Sequence, residues 1–278
     1  MPDIEYEVVS GFFAQDMVDA DPVAIGAVPP RFGLLDASPE RWKTFKSVVE
    51  KLNNDSVCDA SYKVFFLGRH GQGYHNAAES KYGTQAWDDY WSKLDGDGEL
   101  TWGPDPLLTP LGESQAADAR NEWEAELLHG IPLPEKAFSS PLQRAMRTYL
   151  LTFDGIAVAS KPLVLENCRE EYGIHTCDKR HPRSWIQLHY PQFLVEDGFS
   201  EQDVLWKPDA RETKTEVKTR AKNILDRIFT LDSSTYISIT AHGGIINGLL
   251  ACIGRDIYSL PTGGVLPVVI KGVRREQN

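Results

Sequence analysis

Residues 62–76 read Tyr-Lys-Val-Phe-Phe-Leu-Gly-Arg-His-Gly-Gln-Gly-Tyr-His-Asn. Tyr62–Leu67 is a short β-prone run closed by Gly68, which predicts a buried strand followed by a loop. The same punctuation recurs downstream. Ala137–Ser139 reads as a strand, and Ser140-Pro141 opens a helix to about Phe153 with a cap-plus-proline start. Pro162–Glu166 reads as another strand. Tyr236–Thr240 reads as a strand with a helix, Gly243–Ile253, directly after it, and Val265–Ile270 as a last strand. Helices fill the intervals. Over 39–53, Trp42, Phe45, Val48, Val49 and Leu52 recur at three- and four-residue spacing. Thr109 caps and Pro110 starts a helix over 110–129. Over 213–231, Val217, Ala221, Ile224, Leu225 and Ile228 make one apolar stripe. Strands alternating with helices predict a three-layer α/β/α sandwich with a mostly parallel central sheet. Ligands of such sheets bind beyond the carboxyl ends of the strands.

Three stretches lack this periodicity. Residues 1–37 carry scattered Pro and Gly and read as irregular chain wrapping the surface, within an N-terminal extension over 1–60. Residues 77–108 hold Trp87, Tyr90, Trp91 and Trp102 among Asp and Gly, and 173–212 show no clear period. Both read as cap or lid insertions in a single domain over 1–278.

Composition narrows the function. With 41% hydrophobic and 25% charged residues the chain is an ordinary globular one. Its formal net charge of −11 argues against nucleic acid and anionic lipid as partners. Any anion site must then be a local basic pocket in an acidic shell. Cys58, Cys168, Cys177 and Cys252 form no Cys-x-x-Cys pair, and four cysteines in 278 residues make no disulfide scaffold. Reduced thiols in a cytoplasmic protein are the expectation. The start, Met-Pro-Asp-Ile-Glu-Tyr, has no signal-peptide character, and the apolar stretches Gly248–Ile253 and Val265–Ile270 are too short to span a bilayer. The terminal Glu276-Gln277-Asn278 is no peroxisomal address and no lipidation box.

The basic pocket is found at the strand ends. Arg69-His70-Gly71, Ser140-Pro141-Leu142-Gln143-Arg144 and Ala241-His242-Gly243-Gly244 each follow a predicted strand. Folded as above, Arg69, His70, Arg144 and His242 converge. Arginine presents a rigid fork of donors that matches two phosphate oxygens. Glycines after each histidine let backbone N–H groups approach an anion, and a helix opening at Gly243 adds its positive end. A neutral imidazole can also attack phosphorus and hold the phosphoryl group. Neighbouring cations would keep it neutral and stabilise the transition state.

Arg69-His70-Gly71 with Asn76 six residues past the histidine, then Leu108-Thr109-Pro110-Leu111-Gly112, Ser140-Pro141-Leu142-Gln143-Arg144-Ala145 and Ala241-His242-Gly243-Gly244, resemble in order the blocks of the histidine phosphatase superfamily, also called phosphoglycerate-mutase-like. The resemblance spans roughly residues 62–270. It implies His70 as nucleophile, Arg69, Arg144 and His242 as phosphoryl ligands, and Asn76 as a helper. It also implies a general acid near Glu166-Asn167-Cys168-Arg169-Glu170-Glu171-Tyr172-Gly173. The mutase pattern puts that acid four residues before the glycine, where this chain has Arg169; Glu170 is the candidate and Glu171 the alternative. The stretch from Cys168 through His175-Thr176-Cys177-Asp178-Lys179-Arg180 is similar to a fungal and plant subgroup.

The remaining candidates are weighed against duller roles. Gln72 and His75 line the pocket or cap a helix. Lys179, Arg180 and Arg183 could form a second anion subsite or a solvated loop. His175, Cys177 and His181 match no standard metal spacing, and packing or substrate contact is expected of them. Gly71-Gln72-Gly73 lacks the third glycine of a dinucleotide fingerprint. The sequence therefore predicts a phosphatase for a small phosphate ester that calls for no metal and no cofactor. A mutase and a non-catalytic phospho-ligand-binding protein are the alternatives.

Overall fold

Val64, Phe65, Phe66 and Leu67 are each at most 1% exposed, so the run that marks the fold is buried on both faces. A strand can be apolar without alternation only when both its faces are covered. The computed structural model describes residues 3–56 and 59–275; Cys58 and the terminal Glu276-Gln277-Asn278 lie outside them. In chain order the main elements are β1 (Ile4–Val9), α1 (Pro22–Ile25), α2 (Arg41–Asn54), β2 (Ala60–Arg69), α3 (Tyr74–Tyr82), α4 (Thr84–Asp89), α5 (Pro110–Leu127), β3 (Lys136–Ser139), α6 (Gln143–Thr152), β4 (Leu163–Val164), α7 (Arg183–His189), β5 (Leu194–Val195), α8 (Lys214–Leu231), β6 (Tyr236–Ala241), α9 (Gly243–Cys252) and β7 (Val265–Arg274).

The seven strands form one sheet in the order β1-β7-β2-β6-β3-β4-β5. The run β2-β6-β3-β4-β5 is parallel, and β7 is antiparallel to both β2 and β1. The fold is α/β with a mixed, mostly parallel sheet. Side chains of β2 alternate between its two faces, as a period of two requires. Phe65 and Leu67 pack with Ile224, Ile228 and Leu249 of α8 and α9. Val64 and Phe66 pack with Trp42, Phe45, Trp123 and Met146 of α2, α5 and α6. Each such side chain contributes about 1.5–3 kcal/mol on burial. Gly248 sets the approach of α9 to α8: a Cβ there would stand 3.0 Å from Val217 Cγ1 and 3.2 Å from Ala221 Cβ.

Four expectations change. Residues 4–9, expected to be irregular, form the edge strand β1; Ile-Glu-Tyr-Glu-Val-Val is too short to declare itself, and pairing with β7 decides it. The stretch 173–212 contains α7 and supplies β5, so part of this insertion belongs to the sheet. The helix expected at Ser140-Pro141 begins at Gln143, because Ser140 Oγ accepts from Leu142 N within the preceding turn instead of capping the helix. The strand expected over 162–166 is only Leu163–Val164. Trp87 and Trp102 are buried with Cys177, flanked by Tyr82 and Trp91, and form a small core of their own over the sheet's carboxyl edge. Among the described residues no helix is long and apolar enough to cross a membrane.

Candidate active site

Strand register assembles the site. Arg69 of β2 pairs with Ala241 of β6, and Ser139 of β3 pairs with Thr240 of β6. The next residues, His70, His242 and Ser140, therefore emerge side by side at one edge, and Arg144 follows in the first turn of α6. The rings of His70 and His242 are 4.9 Å apart, and those of His70 and His75 are 5.4 Å apart. His70 and His75 line a cleft of about 370 Å³ together with Arg69, Asn76, Arg144 and Glu170, and His242 lies behind His70.

His70 Nδ1 is 2.6 Å from the carbonyl of Gly71. A carbonyl can only accept, so Nδ1 carries the hydrogen and Nε2 keeps its lone pair. Burial, then the charges of Arg144 and Arg69, hold its pKa well below the ordinary histidine value, so the ring is neutral at pH 7. His242 is fully buried; its Nε2 is 2.7 Å from Ser140 Oγ. Arg144 is 1% exposed, donating through Nη1 to the Cys177 carbonyl at 2.7 Å and through Nη2 to Asp178 Oδ1 at 2.9 Å. Arg69 donates through Nη1 to the Leu260 carbonyl at 2.8 Å. The Nε atoms of Arg69 and Arg144 and the Nδ1 atoms of His75 and His242 are buried with no hydrogen-bond partner among the described residues. Orphaned buried nitrogens are rare. Those of Arg69 and Arg144 belong to side chains that line the cleft, which suits it to an anion.

The two glutamates have different surroundings. Glu170 accepts from the backbone N–H of Glu171 at 3.0 Å and of Gly244 at 3.2 Å. Burial, followed by the charge of Asp178, raises its pKa against the pull of those two N–H groups. Burial thus shifts this carboxyl toward the proton-bearing form that a general acid requires. Glu171 is instead ion-paired with Lys214, with Arg211 Nε 3.9 Å away.

The profile of the histidine phosphatase superfamily (branch 1) matches residues 65–261. The chain belongs to this superfamily. A probable phosphoglycerate mutase of Arthroderma benhamiae is 43% identical over 287 residues, covering 98% of this chain and 85% of that protein. A probable phosphoglycerate mutase of Saccharomyces cerevisiae is 37% identical, covering 76% of this chain and 79% of that protein. A mycobacterial glucosyl-3-phosphoglycerate phosphatase superposes with a TM-score of 0.44 at 18% identity, over 74% of this chain and 92% of that one. Members of the superfamily are phosphatases or mutases, so this histidine phosphatase relative is a phosphoryl-transfer enzyme at that level of description.

Several expected residues are placed elsewhere. Arg180 does not reach the cleft: it is buried at 3% exposure against Glu166 and the Ser200 and Gln202 carbonyls, stacked over Phe199. Lys179 lies over the Trp206 ring, and Arg183 is outside the cleft lining, so no second anion subsite forms from this cluster. Gln72 accepts from Thr109 through Oε1 and from Thr109 N through its carbonyl, tying its loop to α5. Asn76 Oδ1 accepts from Gly73 N at the start of α3 while the residue borders the cleft.

The glycine N–H groups expected to meet an anion are mostly engaged. Gly71 N donates to Thr148 Oγ1 and Gly244 N to Glu170, and a Cβ on Gly71 would strike the Gly112 carbonyl. Gly243 instead lies against the Arg69 guanidinium, 3.8 Å from where a Cβ would stand. Arg169, at the mutase acid position, is fully buried and paired with Asp203 and Glu166. His175 borders the cleft, and one of its ring nitrogens, the Cys177 sulfur and an Asp178 oxygen lie within 4.8 Å of one another. Asp178 is already paired with Arg144 and Arg211, and burial keeps the Cys177 thiol protonated, so this donor set is poorly suited to a cation.

Sequence reasoning did not single out Ser140 as a partner of His242, nor Asp178, Asp105 and Arg211. Only Ser140 carried a usable signal, since it lies in a recognised block beside a strand end.

Proposed function

We propose that this protein is a cytoplasmic, metal-independent phosphatase that hydrolyses a small phosphomonoester through a phosphohistidine on His70. The observation that carries the proposal is the His70 ring, held neutral with its Nε2 lone pair beside four buried, unpartnered nitrogens. The Nε2 lone pair attacks phosphorus, the bond to the alcohol oxygen breaks, and the Glu170 carboxyl gives that oxygen its proton. The Gly71 carbonyl stabilises the Nδ1–H as the ring gains charge. Arg69, Arg144 and the imidazole N–H of His242 hold the phosphoryl oxygens, where fixed donors do most of the work of phosphoryl transfer. Water then attacks phosphorus and loses its proton to the Glu170 carboxylate. The N–P electron pair returns to Nε2, and inorganic phosphate leaves. Three of the four cysteines, Cys168, Cys177 and Cys252, are free thiols, which supports the cytoplasmic assignment.

The names of the fungal relatives favour a second reading, a mutase that returns the phosphoryl group to another oxygen of its substrate. One experiment separates the two. Phosphate release from an aryl phosphate is measured in EDTA, without a bisphosphate primer, for wild type and His70→Ala. Release by the wild type alone, with an acid-labile phosphoryl adduct trapped on His70, is expected. A wild type that releases phosphate only when primed would favour the mutase.

A further inference from the structure

Beyond the phosphoryl cradle the cleft continues outward between α3, α4 and the start of α8, bordered by Glu79, Asp88, Glu171, Asp178, Arg211 and Lys214. Four carboxylates thus face two cations. Both cations are already engaged. Lys214 is bonded to Glu171, and Arg211 donates to the Gly173 carbonyl at 2.8 Å and to Asp178 Oδ2 at 3.3 Å. Two of the carboxylates have no such partner. Glu79 accepts only a hydroxyl, from Thr84 at 3.1 Å, and among the described residues no Lys, Arg or His nitrogen lies within 4.0 Å of it. Asp88 faces only His175, at 3.6 Å, whose pKa burial and the charge of Arg211 lower, leaving it neutral.

The cleft is therefore electrically divided. Its floor offers unpartnered donors, among them the Nε of an arginine that is 1% exposed, to one phosphoryl group. Its outer half presents a net negative charge to whatever the phosphate is attached to, with Glu79 near enough to Arg69 to feel its charge but not ion-paired to it. A second phosphate or a carboxylate there would meet Glu79 and Asp88 with no free cation to receive it. Hydroxyl groups, or an ammonium, would find acceptors.

Resting on the phosphomonoester reading, we infer that the leaving group is an uncharged or cationic, hydroxyl-bearing alcohol, and that Glu79 and Asp88 reject esters carrying a second anionic group. Phosphoglycerates, which carry a carboxylate beside the phosphate, fall in the rejected class.

Binding tests this apart from turnover. Calorimetry on His70→Ala, which cannot be phosphorylated at that position, compares glycerol 3-phosphate with 3-phosphoglycerate at low ionic strength. The two differ by a carboxylate in place of a hydroxymethyl group. Glycerol 3-phosphate should bind about tenfold more tightly, as expected for one repelled charge in a partly solvated cleft. Adding Glu79→Gln and Asp88→Asn should bring the two affinities within about twofold, mainly by strengthening phosphoglycerate binding. Equal binding, tighter phosphoglycerate binding, a ratio unmoved by the two substitutions, or no binding of either ester at millimolar concentration would overturn the inference. If the ratio holds while the wild type releases no phosphate from any ester, the hydrolytic reading fails and the selectivity stands.

Discussion

Ser140 Oγ lies 2.7 Å from His242 Nε2 and also accepts a hydrogen bond from Leu142 N at 3.2 Å. Among the described residues the Ser140 hydroxyl hydrogen has no acceptor but Nε2, so it points there. This fixes the tautomer in which His242 carries hydrogen on Nδ1, the buried nitrogen with no other partner. Ser140→Ala should lower kcat/KM by about tenfold, the worth of one lost orienting bond, and lower stability by about 1–3 kcal/mol, because the buried Nε2 and Leu142 N lose their partner. Steady-state kinetics beside a urea curve check this. Unchanged kcat/KM would remove Ser140 from the mechanism.

In the proposed mechanism Glu170 acts in its protonated form, and burial raises its pKa. The rate should therefore fall as pH rises through that raised pKa. Glu170→Gln cannot deliver a proton. It should lose about 100-fold or more in kcat on an alkyl phosphate, where the leaving oxygen needs the proton, and far less on nitrophenyl phosphate. Its alkaline limb should also flatten. Equal losses on both substrates would point to a different acid.

Arg180 and the partly buried Glu166 form an ion pair, with Nη2 2.8 Å from Oε2, that ties the second insertion to the turn after β4, away from the cleft. Arg180→Ala leaves Glu166 with fewer donors and removes five further contacts that Arg180 makes with the 181–202 stretch. Stability should drop by about 3 kcal/mol or more. KM of the folded fraction should not change. A raised KM at unchanged stability would restore Arg180 to the substrate site.

Asp105 is fully buried, 3.8 Å from Arg144 Nη1, and accepts from Gln143 N at 3.0 Å. Burial outweighs these partners and lifts its pKa from 3.8 to about 7. The folded state then binds this proton more tightly than the unfolded chain does. Asp105 favours the fold most below about pH 4, and that contribution is lost as pH climbs toward 7. Asp105→Asn has no such slope. From pH 5 to pH 8 the variant should gain at least about 1 kcal/mol relative to wild type. Urea midpoints at the two pH values measure this, and parallel curves would refute it.

Much of the fold was legible because its signals are local. The buried run through Val64–Leu67, the stripe from Val217 to Ile228 and the Thr109-Pro110 start each declare themselves within one element. Once the strands were read, the blocks at their ends placed Arg69, His70, Arg144 and His242 together, since parallel strands share one carboxyl edge. What lay outside local reach was misread or missed. Ile4–Val9 became a strand through pairing with residues 269–274 at the other end of the chain. Arg180 looked like a free cation until Glu166, Ser200 and Gln202 closed around it.

The sequence by itself determined the layered α/β class and the set of groups that can carry a phosphoryl transfer, because strand and helix periods and the residues at their ends are written in consecutive positions. Only the tertiary structure decided which charges are spent and which are left to meet a substrate. Glu171 is ion-paired with Lys214 and Asp178 with Arg144 and Arg211, while Glu79 and Asp88 are ion-paired with no arginine or lysine among the described residues. Ion pairing depends on distances between side chains that are remote along the chain, and those distances exist only once it has folded.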